Sequence, residues 1–106
     1  MFDTATQTKK DIFVILQQHQ EQIKAFGVKK LGLFGSFVRN EQHPESDIDL
    51  LVEFEAGQKT FDNFMGLSFL LEDILQWPIE LVTVESISPY LSPYITQEVE
   101  YATFAA

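Results

Sequence analysis

The chain has 106 residues, 45% of them hydrophobic, with ten Phe, one Trp and a net charge of −9. A domain of this length buries only about two-thirds of its unfolded surface, so residues 1–106 are expected to form one domain around one core. The lack of cysteine excludes disulfides, thiolate zinc sites and cysteine nucleophiles, and two histidines, His19 and His43, are too few for a histidine-rich metal cluster.

The first six residues are expected to fray. Thr8 and Asp11 then have the spacing of a capping box. Ile12, Leu16, His19, Ile23 and Phe26 recur at helical spacing, and Gly27 stands where a helix C-cap would fall. His19 reads as a boundary residue packing on the core, since no acidic or imidazole partner stands one turn away. A short apolar strand follows (Leu31, Leu33, Phe34), broken by Gly35-Ser36, and a polar loop leads through Asp47-Ile48-Asp49 into a second strand at Leu50, Leu51 and Val52. Thr60 is placed to cap a second helix whose apolar stripe is Phe61, Phe64, Leu67, Leu71 and Ile74, ending at Trp77-Pro78. Ile79 to Val84 is short, apolar and rich in β-branched residues, hence a third strand, with the single charge Glu80. Ser88-Pro89 and Ser92-Pro93 mark a turn-rich connection, and a short helix and an edge strand around Val99 to Phe104 are expected to close the chain. The order helix, strand, strand, helix, strand predicts an α/β domain in which helices cover a small mixed sheet.

Charge is divided unequally. Residues 1–39 carry six basic and three acidic side chains, residues 40–106 one and thirteen. Such an acidic chain repels a nucleic-acid backbone, so direct nucleic-acid binding is not expected, whereas a small anion held through divalent cations is. No apolar run reaches the roughly 18 residues that a membrane span needs, and no signal-peptide pattern is present, so the expectation is a soluble cytoplasmic protein.

Residues two apart in a strand share a face, which puts Asp47 and Asp49 on one side and Ile48 and Leu50 on the other. Two repelling carboxylates are tolerable around a hard cation, and Mg²⁺ takes oxygen ligands while keeping water and substrate phosphate. Glu80 is the natural third ligand if its strand lies beside theirs, giving a site for one or two Mg²⁺ ions. Gly35 lets a phosphate approach the backbone, Ser36 offers a hydroxyl and an N–H, and Arg39, the only arginine, suits phosphate oxygens. A surface ion pair with Glu41 or Glu45 is the alternative for Arg39.

The joint pattern, Gly-Ser, ten residues and Asp-x-Asp between apolar strands, resembles the minimal nucleotidyltransferases of the DNA polymerase β superfamily, in particular the MntA-type antitoxins paired with HEPN-domain toxins. The resemblance runs from the first helix through GSFVRNEQHPESDIDLLVEF, TFDNFMGLSFLLEDIL and IELVTV to the end of the chain. It implies a polymerase β palm-like fold and a Mg²⁺-dependent adenylyltransferase that uses ATP. In that scheme Gly35, Ser36 and Arg39 hold the triphosphate, Asp47, Asp49 and Glu80 bind two metal ions, and Glu80 activates the attacking hydroxyl. The implied partner and substrate is a HEPN toxin, bound in a hetero-oligomer and modified on a hydroxyl, that of tyrosine by expectation. Two positions depart from the common pattern: Asn40 replaces a frequent glycine, and Glu80 replaces the usual aspartate. They lend weight to an alternative, a non-catalytic antitoxin that inhibits a basic RNase by contact alone. A haloacid dehalogenase-type phosphatase is set aside because Asp-x-Asp here opens its strand and is followed by Leu50-Leu51.

Overall fold

The computed structural model describes residues 8–104; the expected fraying of the first six residues lies outside that range. The Thr8 hydroxyl accepts from the Asp11 N–H at 3.3 Å and the Asp11 carboxylate accepts from the Thr8 N–H at 3.2 Å, so the capping box forms and starts helix α1, Lys9–Gln18. The single helix expected through Phe26 is broken at His19, where φ −112° and ψ 21° leave the helical region. It resumes as α2, Gln20–Lys24. At this break the His19 ring nitrogen Nδ1 lies 2.9 Å from the Ile15 carbonyl. Ile12, Leu16 and Ile23 are nevertheless all fully buried, so the apolar stripe runs straight through the interruption.

Gly27, at φ +84°, turns the chain into strand β1, Val28–Phe34. Strand β2, Ile48–Phe54, pairs with it antiparallel, Leu33 opposite Leu50 and Phe34 opposite Asp49. Strand β3, Ile79–Thr83, lies parallel to β2 on its other side, with Asp49 beside Glu80. The helix between them, α3, spans Phe61–Leu75, and the Thr60 hydroxyl caps it by accepting from the Asn63 N–H at 3.1 Å. A 3₁₀ turn at Val84–Ser86, helix α4 at Ser92–Glu98 and a two-residue strand β4, Glu100–Tyr101, follow, and β4 pairs antiparallel with β1. The sheet is therefore mixed, as the sequence predicts, and its strands run in the order β3-β2-β1-β4.

Alternation along these strands makes two unlike faces. One face presents Leu31, Leu33, Ile48, Leu50 and Val52, all completely buried in one cluster with Ile12, Leu16, Ile23, Leu67, Leu71 and Leu75 from the helices. The α3 stripe is shifted from the predicted one: Leu75 is buried, Phe64 and Ile74 pack at the rim, and Phe61 is 77% exposed. Phe61 is the first residue of the helix, ahead of the turns that meet the sheet. The other face carries Phe34, Asp49, Glu80 and Val82, and α4 lies against it.

Candidate active site

The site is built where β1 ends beside the start of β2. Gly35 has φ +84°, in the left-handed region, and a side chain there would drive its Cβ into the Asp49 carboxylate. Glycine is thus required twice, for the backbone angle and for the close approach of Asp49. The chain then folds as consecutive turns rather than a full helix: Val38 and Arg39 N–H groups both donate to the Gly35 carbonyl at 3.2 Å, and the Glu41 N–H donates to that of Ser36 at 2.8 Å. Asn40 sits at φ +60°. Asparagine tolerates that conformation better than most residues, so the departure from glycine at this position preserves the turn.

The connection back to β2 is anchored from below. Phe37, fully buried, packs edge-on against Trp77 with ring centroids 5.7 Å apart, and the Trp77 Nε1–H donates to the Ser46 carbonyl. Ser46, itself buried, accepts from the His43 N–H at 3.0 Å through its hydroxyl. Asp47 follows Ser46 directly and precedes β2 rather than lying within it.

Three carboxylates then share one end of the sheet. Asp49 is half-buried, whereas Asp47 and Glu80 are exposed. Burial pushes the Asp49 carboxyl up from 3.8 to about 6; repulsion from Glu80 and Asp47 adds to this, and Arg39 opposes it. A hard cation would relieve that repulsion, and an all-oxygen donor set suits Mg²⁺. Among the described residues no three acidic or histidine side chains form a ready-made metal cage, so Asp47, Asp49 and Glu80 amount to an open rim that substrate oxygens and water would have to complete.

Arg39 is half exposed and engaged on two sides. Its Nε donates to Glu41 at 3.1 Å, the surface pairing considered for it, and its Nη1 donates to Glu98 at 2.8 Å. Both hydrogen bonds raise the guanidinium pKa further above its ordinary value, that to Glu98 foremost. The other Glu98 oxygen accepts from the Gly35 N–H at 2.7 Å. Glu98 is the residue that sequence reasoning missed: it lies 63 positions from Gly35 and no local spacing links them. A cavity of about 350 Å³ adjoins the carboxylates, lined by Asp49, Glu80, Phe34 and Val82 from the sheet and by Leu91 and Ile95 from α4 and the turn before it. Gly35, Ser36 and Arg39 thus lie on one loop beside Asp49 and Glu80, with Asp47 close enough to act on the Asp49 charge.

A family model described as a nucleotidyltransferase domain matches residues 15–102. A Methanocaldococcus jannaschii protein named "putative protein adenylyltransferase" is 39% identical over 97 residues, covering 89% of this chain and 97% of that one. The protein adenylyltransferase MntA of Thermococcus cleftensis is 35% identical over 95 residues, covering 89% and 95%. Among solved structures, a "putative minimal nucleotidyltransferase" superposes with a TM-score of 0.68 at 28% identity, covering 83% of this chain and 93% of that one. The tri-AMPylated HEPN toxin of Shewanella oneidensis in complex with its MNT antitoxin superposes with a TM-score of 0.60 at 18% identity, covering 88% and 73%; that likeness is one of fold.

Proposed function

The chain belongs to the nucleotidyltransferase domain family, and from that premise we propose that it is an antitoxin that transfers AMP from ATP to a hydroxyl of a HEPN-type toxin, tyrosine being the expected acceptor. The observation that carries this reading is the adjacency of Asp49 and Glu80 on parallel strands, with the Asp49 carboxylate filling the space above Gly35. Phosphate-accepting backbone and cation-binding carboxylates are then within one site. Its similarity to protein adenylyltransferases over most of its length supports the same chemistry.

The roles follow from what each group can do. The Gly35 and Ser36 backbone, the Ser36 hydroxyl and the Arg39 guanidinium bind and orient the triphosphate. Asp47, Asp49 and Glu80 would hold Mg²⁺, which when bound neutralises phosphate charge and acidifies a hydroxyl. In the transfer the acceptor oxygen forms a bond to the α-phosphorus, the bond to pyrophosphate breaks, and the acceptor proton passes to a carboxylate. Glu80 would take that last role; its exposure at the cavity, where Asp49 is half-buried, supports this reading. The acceptor is supplied by the partner, and the acidic surface of residues 40–106 suits a basic protein in a hetero-oligomer.

A contact-only antitoxin is favoured by one feature, the exposed group Tyr90, Leu91 and Tyr94 beside the cavity, an aromatic and apolar surface that a partner can cover without any transfer taking place. Glu80→Gln separates the two readings, since it keeps shape and removes the charge. On the catalytic reading, transfer of label from α-labelled ATP to the partner falls by at least about a hundredfold, the scale of a lost general base, and neutralisation of the toxin fails with it. Full neutralisation by a variant that transfers nothing would sink the catalytic reading of the antitoxin role.

A further inference from the structure

Glu98 occupies two of the donors assigned to the triphosphate. Its Oε2 takes the Gly35 N–H at 2.7 Å and its Oε1 takes Arg39 Nη1 at 2.8 Å, so one carboxylate bridges the glycine turn and the guanidinium as a phosphate would. The Gly35 N–H has one proton to give. A phosphate oxygen at the same nitrogen would collide with Oε2 and repel its charge. We propose that Glu98 is a built-in competitor for the phosphate subsite, and that nucleotide binds by displacing it together with the end of α4. This rests on the reading of Gly35 and Arg39 as phosphate-binding groups.

Little of the element that carries Glu98 is buried. Glu98 is the last residue of a seven-residue helix with no buried residues, followed by the two-residue strand β4, both of whose residues are exposed. Such a segment opens at little cost compared with the core strands. The same helix walls the cavity through Ile95, with Leu91 just before it, so release of Glu98 widens access to Asp49 and Glu80 as the phosphates enter. A competitor that must first leave weakens apparent affinity by the fraction of molecules that are open, without changing the intrinsic contacts.

The sign of one effect tests this. Calorimetric titration of MgATP, and of inorganic tripolyphosphate with Mg²⁺, is made against the wild type, Glu98→Gln, Glu98→Ala, Arg39→Ala and, as a control for net charge, the exposed α3 residue in Glu72→Gln. Both Glu98 variants are expected to bind both probes at least about tenfold more tightly than the wild type, the scale of one charged hydrogen bond, and Glu72→Gln less than about twofold. Arg39→Ala is expected to bind more weakly. Unchanged or weaker binding by both Glu98 variants, with Arg39→Ala still impaired, would show that Glu98 only braces the loop and would overturn the competitor while leaving the phosphate subsite standing. If neither Glu98 nor Arg39 substitutions alter binding, the subsite assignment fails and the competitor with it. Should Glu98→Ala fail to fold, the isosteric Glu98→Gln decides the question alone.

Discussion

The two faces of the same four strands are opposites in what they contribute. Toward the helices, Leu31, Leu33, Ile48, Leu50 and Val52 are sealed from water with nothing polar between them. On the other side, one residue along each strand, Phe34, Asp49, Glu80 and Val82 border a cavity, and Asp49 is repelled by Glu80 and Asp47. Strand alternation thus lets one face be optimised for stability while the other holds a charge arrangement that costs stability. Changes on the first face should lower stability with no specific effect on chemistry. Changes on the second should abolish chemistry with small or even favourable effects on stability.

The largest effect is expected on the helix face. Leu50→Ala removes a fully buried side chain at the centre of the sheet and should cost about 2–5 kcal/mol in denaturant unfolding. A loss below about 1 kcal/mol would mean that this face does not carry the fold. Gly35→Ala, where the two faces meet the loop, should be intermediate. The left-handed backbone angle costs a side-chain-bearing residue about 1–2 kcal/mol, and the new methyl group must push the Asp49 carboxylate aside, so transfer is expected to vanish while the protein still folds. Wild-type activity in that variant would break the link between the glycine turn and Asp49.

Much of this division was legible in the sequence. The Thr8 and Thr60 caps, three strands, the edge strand near Val99, and the alternation that separates Asp49 from Ile48 and Leu50 all depend on local spacing, and the structure has them; the last helix is displaced, starting at Ser92-Pro93, which reads as a turn but forms its first turn because proline is tolerated there. The adjacency of Glu80 to Asp49 needed only the parallel placement of β3 next to β2, which a helical crossover favours. What was not legible depends on backbone angles or distant contacts. The break at His19 leaves Ile12, Leu16 and Ile23 in phase and so gives no periodic signal. Phe61 looks like part of a stripe, but its position at the first turn of α3 puts it beyond the sheet. Glu98 meets Gly35 and Arg39 only because β4 returns alongside β1, and neither residue's neighbourhood in the chain announces it.

The smallest expected stability effect is also the most direct test, because its sign is opposite to that of the usual mutation. The folded protein holds the Asp49 proton up to a pH of about 6 against an ordinary value of 3.8, so the folded state binds more protons than the unfolded one across that window. Stability therefore falls as pH rises from about 4 to about 6, and above it the full cost of the ionised carboxylate is present. Asp49→Asn has no such cost. The decisive measurement is unfolding of wild type and Asp49→Asn in metal-free buffer from pH 4 to 8, with adenylyl transfer assayed on the same preparations at neutral pH. The account predicts a variant that is inactive in transfer yet more stable than the wild type above pH 6, on the order of 1 kcal/mol after solvent screening of a half-exposed group, the advantage shrinking toward pH 4. An Asp49→Asn protein that is active, or less stable than the wild type at neutral pH without metal, would contradict it.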